Sequence, residues 1–193
     1  MMATSDGAQP LPLLFRLTAG MRRLAGDRGA TASRMPIARP LRRVLSAKAP
    51  KGARFVAVCG GELRGMQMLV DLATEKYYWL GTHERRVQEL LAREIAPGDV
   101  AYDVGAHIGF FSLLMARCCG ADGTVHAFEP LPANAHRLSE NAAINDLTNI
   151  AIHEMALGDT DGEARFTPGA TSLEGRLSGI GNEYVTVATL DSF

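Results

Sequence analysis

The chain has 193 residues, 47% of them apolar or aromatic and 21% charged, with a mean hydropathy of +0.00; this suits one domain with a real core and excludes general disorder. Its three cysteines, Cys59, Cys118 and Cys119, are too few for a disulfide framework and lack metal-ligand spacing, which excludes a zinc finger. No apolar run approaches the ~20 residues of a membrane span, and Leu11 to Phe15 is too short and too soon broken by Arg16 for a signal-peptide core, so a soluble cytoplasmic protein is expected.

The net charge of -1 hides an asymmetry. Residues 1–50 hold nine Lys+Arg against two Asp+Glu, and residues 51–193 hold eleven against nineteen. A basic arm on an acidic body suits contact with something anionic, the body included. Leu13, Leu14, Leu17, Met21 and Leu24 fall on one helical face, with Arg16, Arg22 and Arg23 off it. A short helix docked on the domain is the expectation, and peripheral membrane contact the alternative. Gly26 to Pro50, rich in Ala, Arg and Pro, reads as linker.

Arg54 to Cys59 and Leu63 to Leu72 are predicted strands around a Gly60-Gly61 turn, which makes a hairpin. An aromatic-rich link, Tyr77 to Gly81, follows. Thr82 is the predicted N-cap of a helix to Ile95 with Val87, Leu90, Leu91 and Ile95 as its apolar face, ended by Pro97-Gly98. Then strands alternate with helices. Val100 to Val104 is a strand, Gly105 to Gly109 a loop and Phe110 to Cys119 a helix closed by Gly120. Thr124 to Phe128 is a strand, a helix opens at Pro132, and Ile150 to Met155 is a third strand. Two βα units in series predict an α/β fold with a parallel sheet, its three strands side by side in the order 3-2-1.

Chemistry concentrates in Asp103-Val-Gly-Ala-His-Ile-Gly109, between the first strand of this pattern and its helix. Gly105 lets a ligand approach the main chain, and Gly109 permits close packing at the helix start. No Gly-Lys-Ser/Thr follows, so a P-loop is excluded, and the glycine spacing is not that of a dinucleotide fingerprint. Glu129 stands directly after the second strand, where an acid can accept both hydroxyls of an adenosine ribose. The simpler reading of Glu129 is an acid favoured at a helix N-terminus. Together the features favour an adenosine-bearing cofactor. S-adenosyl-L-methionine (SAM), with no pyrophosphate to cradle, fits better than a nicotinamide dinucleotide; an oxidoreductase is the alternative from another class.

Gly81-Thr-His-Glu84, Pro97-Gly-Asp-Val100, Asp103 to Gly109, Phe128-Glu-Pro130, Asn141 to Asn145, Ala156-Leu-Gly-Asp159 and Thr189-Leu-Asp191 occur in the order seen in FkbM-type SAM-dependent methyltransferases, and the sequence resembles that family from Tyr77 to Phe193. The resemblance implies a Rossmann-like class I methyltransferase fold and methyl transfer to a hydroxyl on a sugar or natural-product scaffold. It implies a small-molecule or glycan acceptor and no nucleic acid; methyl transfer from SAM demands no metal, and no His/Asp/Glu cluster with ligand spacing appears. By resemblance, Asp103, Gly105, Ala106 and Gly109 border the methionine part of SAM, Glu129 holds the ribose, Glu154 to Ala156 lie near the adenine, and Glu84 closes over the cofactor. His107 stands where the family usually has Asn, and His83 where it has an aromatic residue. His107 is the candidate general base; His126 and His153, within apolar strands, are expected to be packed or at an edge. The implied organisation is a basic extension at 1–50, a hairpin and helix at 51–96, and a SAM-binding domain at 97–193. The family's domain continues past the motif at Asp191, so a C-terminally truncated sheet with its first strand at the edge is expected. A nucleoside- or SAM-binding fragment without turnover is the alternative function.

Overall fold

The structure, a computed structural model, describes residues 15–20, 49–168, 175–177 and 183–193. The linker reading of 26–50, all but its last two residues, and positions 13, 14, 21 and 24 of the amphipathic helix therefore lie outside the described residues. Residues 15–20 are helical and docked on the body. The buried face differs from the expected stripe: Leu17 is 55% exposed, whereas Phe15 and Ala19 are buried. Phe15 sets this rotation, because its ring packs 5.6 Å from that of Trp79.

Strand β1 (Ala53–Ala57) pairs antiparallel with β2 (Gln67–Asp71), as expected of a hairpin. Gly60-Gly61 is not its tight turn, however, since residues 58–66 form a longer connection. The two glycines serve a close backbone crossing instead. Gly81 has φ +64, and a Cβ there would stand 1.7 Å from the Gly60 carbonyl oxygen. Cys59 N donates to Trp79 O across the same crossing, at 2.8 Å.

The aromatic link is a short helix, α1 (Lys76–Leu80). Helix α2 (Arg85–Glu94) begins later than expected, with Glu84 and not Thr82 at its N-cap, at φ +37. Its apolar face is only partly used. Leu91 and Ile95 pack against the next helix, but Val87 and Leu90 are exposed. The fully buried residue is the polar Gln88, which donates Nε2 to His83 O and accepts from Glu62 N.

β3 (Val100–Val104), β4 (Thr124–Phe128) and β5 (Ile150–His153) form a parallel sheet in the order β3-β4-β5, with β3 at the edge. Helices α3 (Phe110–Cys119) and α4 (Pro132–Ala143) cover one face, a Rossmann-like α/β arrangement. Strand alternation puts Asp103, Val125, Ala127, Ile150 and Ile152 on the covered face and Tyr102, Val104, His126, Phe128 and His153 on the other. The predicted strand to Met155 ends two residues earlier, because Met155 N turns back onto His153 O. β6 (Ala156–Leu157), β7 (Gly162–Pro168), β8 (Gly175–Leu177) and β9 (Glu183–Ala188) then make a separate sheet ordered β6-β9-β7-β8. One core cluster runs from the hairpin (Val56, Met68, Val70) through Tyr78 and Trp79 into α3 (Leu113, Leu114), so segments 51–96 and 97–193 share a hydrophobic centre.

The free edge of β2 is closed by side chains of α4 and its C-terminal turn. Arg137, Asn141 and Asn145 lie four residues apart on one helical face. Asn145 accepts from Gln67 N and donates to Gln67 O; Asn141 accepts from Leu69 N, and Arg137 donates to Leu69 O. Both nitrogens Nη1 and Nη2 of Arg137 also bind the carboxylate of Glu75, which is 1% exposed. Three polar side chains thus take the place of a neighbouring strand. No helix among the described residues is long and apolar enough to cross a membrane.

Candidate cofactor site

The glycine loop lies at the carboxyl ends of β3 and β4. Gly105 N and Ala106 N both donate to Phe128 O, at 2.9 and 3.0 Å, which ties the loop to the end of β4. Gly105 has φ +78, and a Cβ added there would enter open space. Gly109, at φ +87, has the opposite surroundings: its Cβ would lie 2.7 Å from Leu138 Cγ. One glycine therefore leaves room above the main chain, and the other lets α3 start against α4, as expected. Between them His107 takes φ +53, a left-handed conformation that few non-glycine residues adopt.

Asp103 is 7% exposed on the helix-covered face, and its Oδ2 accepts the Ser112 hydroxyl at 2.5 Å. Burial pushes its carboxyl above the usual range; the Ser112 hydrogen bonds oppose this, and the nearby Glu129 charge adds to it.

Glu129 is 5% exposed and gathers the site. Its Oε2 accepts from His107 N at 2.9 Å, and its Oε1 from Leu131 N and Asn134 Nδ2 at 3.0 and 3.1 Å. A carboxylate offers about four lone-pair positions, so about one is left, on Oε2. The expected capacity for both ribose hydroxyls is thus halved as the side chain stands, because Glu129 also ties the loop to the start of α4. The contacts with Leu131 N and Asn134 Nδ2 agree with the reading of Glu129 as an acid at a helix start.

The His107 ring is 8% exposed, with Nδ1 3.3 Å from Tyr78 Oη. Tyr78 is itself 2% exposed, stacked on Phe110 at 5.0 Å and edge-on to His83 at 4.7 Å. Burial pushes its phenol far above the ordinary value, with Tyr77, Glu75, Asp103 and Glu84 adding to the rise. Tyr77 is pushed up to about 12, by burial first and Glu75 second. His83, among these rings, is lowered by burial, which Glu84 opposes.

Asp103, Gly105, Ala106, His107, Gly109 and Glu129 thus come together. Glu129 N donates to His153 O, which brings the end of β5 alongside, with Glu154 exposed just after it. Ala156 belongs to β6 and pairs with Val187 in the other sheet. Glu84 is exposed at the N-cap of α2, where its side chain caps nothing. His126 and His153 lie on the sheet face away from α3 and α4, Nδ1 to Nε2 3.1 Å apart, beneath the ring of Phe193.

Tyr78 and Asn141 were not recognised in the sequence as supports of this site. Asn141 donates Nδ2 to Ile108 O at 2.8 Å while its Oδ1 holds β2, so it links the hairpin to the loop. The four-residue spacing of Arg137, Asn141 and Asn145, beside the apolar stripe of Ala135, Leu138 and Ala142, was the available signal.

The family described as the methyltransferase FkbM domain matches residues 103–193. Over that segment, just under half of its length, the chain is similar to the FkbM methyltransferase family. It is 40% identical over 84 residues to the 31-O-demethyl-FK506 methyltransferase FkbM of Streptomyces tacrolimicus, covering 42% of this chain and 32% of that protein. It is 33% identical over 92 residues to the hexuronic acid methyltransferase AglP of Haloferax volcanii, covering 48% of this chain and 36% of that one. The alignments therefore take in about a third of the length of these curated relatives. Among solved structures, TYW2 of P. horikoshii in complex with MeSAdo matches with a TM-score of 0.42 and 18% identity, covering 67% of this chain and 53% of that one. The FkbM segment opens on Asp103 and contains the glycine loop and Glu129. Tyr78, Glu75 and the strand held by Asn141 all precede it.

Proposed function

We propose that the chain binds SAM at the carboxyl ends of β3 and β4 and takes part in methyl transfer to a hydroxyl of a small-molecule or sugar acceptor. The observation that carries this is the joining of the glycine loop to an acid, His107 N to Glu129 Oε2 at 2.9 Å, beside the open space over Gly105. The residues fit the group: the remaining lone pair of Glu129 Oε2 suits a ribose hydroxyl, and a bare main chain at Gly105 suits close approach by the amino-acid part. Bound SAM supplies a methyl group activated by its sulfonium. The chain's own contribution is position: Glu129 fixes the loop and the nucleoside together, and such pre-orientation provides much of the rate in a displacement. The acceptor class is supported by the FK506-derived and hexuronic acid substrates in the relatives' names.

Calorimetric titration with S-adenosylhomocysteine tests the reading. Saturable binding is expected, weakened about tenfold or more, some 1.4 kcal/mol, in Glu129→Ala. No binding by a chain that circular dichroism shows to be folded would overturn it. Binding without methyl transfer to any hydroxyl acceptor would favour the non-catalytic reading.

A further inference from the structure

We infer that Tyr78 fixes His107 as the tautomer protonated on Nε2, making His107 a hydrogen-bond donor of the cofactor loop and not a general base, with Tyr78 as its positioning residue. The functional half of this rests on the cofactor reading above; the tautomer does not.

The argument starts from the phenol. Tyr78 is buried at 2% exposure and clamped by Phe110, Tyr77 and His83, with ring centroids 5.0, 4.8 and 4.7 Å away. Its burial first, and its carboxylate neighbours after it, keep the hydroxyl protonated. A buried hydroxyl that keeps its proton needs an acceptor. His107 Nδ1, 3.3 Å away, is the acceptor that the structure gives it. An imidazole nitrogen that accepts carries no proton, so in the neutral ring the proton sits on Nε2.

The main chain that carries the ring is held from both sides. The His107 N–H is bound to Glu129, and the carbonyl of the next residue, Ile108, is bound to Asn141 Nδ2 at 2.8 Å. In this arrangement Nδ1 is occupied and Nε2 is protonated, so neither nitrogen takes a proton from an acceptor hydroxyl. An N–H in the loop suits an anionic group, such as the carboxylate of the cofactor's amino-acid part.

The test is a long-range ¹H–¹⁵N correlation spectrum of the ¹⁵N-labelled full chain, recorded without ligand. The His107 ring signals are assigned by their loss in His107→Asn. The Nε2-protonated pattern is expected in the wild type, with an Nδ1-protonated form appearing in Tyr78→Phe. An Nδ1-protonated wild type would overturn the inference, and so would an unchanged ring pattern in a Tyr78→Phe chain with native circular dichroism. For the functional half, His107→Asn keeps an N–H donor and tolerates positive φ. It is expected to bind S-adenosylhomocysteine more tightly than His107→Ala, in calorimetry. Equal loss in both variants would overturn the donor role. Failure of the wild type to bind would overturn the cofactor reading alone, since the ring spectrum decides the tautomer by itself.

Discussion

Two parts of this molecule leave a sheet without a neighbour and deal with it in opposite ways. At β2, the free backbone edge is met group by group by Arg137, Asn141 and Asn145. At β3, an edge strand shows apolar side chains to solvent, with Val100 58% and Val104 59% exposed. Beyond the ring of Phe193 over Tyr102, His126, Phe128 and His153, no helix among the described residues covers that face. The first boundary joins the hairpin to the glycine loop and is built from buried polar groups, each expensive to leave unpaired. The second carries apolar surface, which costs little per residue to expose singly and favours association when contiguous.

The contrast predicts unequal responses to substitution. The largest is Arg137→Met, which removes the opposite charge from the buried Glu75 carboxylate and leaves it the neutral donor Asp71 N; a loss of about 3 kcal/mol is expected in urea denaturation. Asn141→Ala leaves Leu69 N and Ile108 O without their partner, for about 2 kcal/mol, and should also weaken S-adenosylhomocysteine binding because the loop loses its tether. The smallest is Val104→Thr on the open face, within about 0.5 kcal/mol of the wild type. Its visible consequence should be less self-association in light scattering. A Val104→Thr cost equal to that of Asn141→Ala would mean that the open face is covered in solution, and the comparison would fail.

The strand–helix alternation from Val100 to His153 was legible because parallel strands are short apolar runs, α3 is apolar over most of its surface and α4 carries an apolar stripe. The parallel order β3-β4-β5 followed from it. The hairpin was legible, but its connection was not: Gly60-Gly61 looks like a turn to any local rule, whereas its glycines answer to Gly81 twenty residues on. The cap at Glu84 was missed for a similar reason, since Thr82 is the better N-cap by local preference. At the site, the glycine loop and Glu129 stood out by type and spacing. The internal use of Glu129 did not, because its partners Leu131 N and Asn134 are placed by the docking of α4.

By itself the sequence determined the local periodicities, the loop with room for a ligand, and the resemblance to the FkbM family, since each of these is written in short local motifs and their order along the chain. Tertiary structure alone decided that α4 stands in for a strand beside β2, that Tyr78 faces His107, and that Glu129 has about one lone pair to offer. Those depend on groups tens of residues apart meeting at hydrogen-bond distance, and the free energy of such a meeting belongs to the packed arrangement and not to either segment.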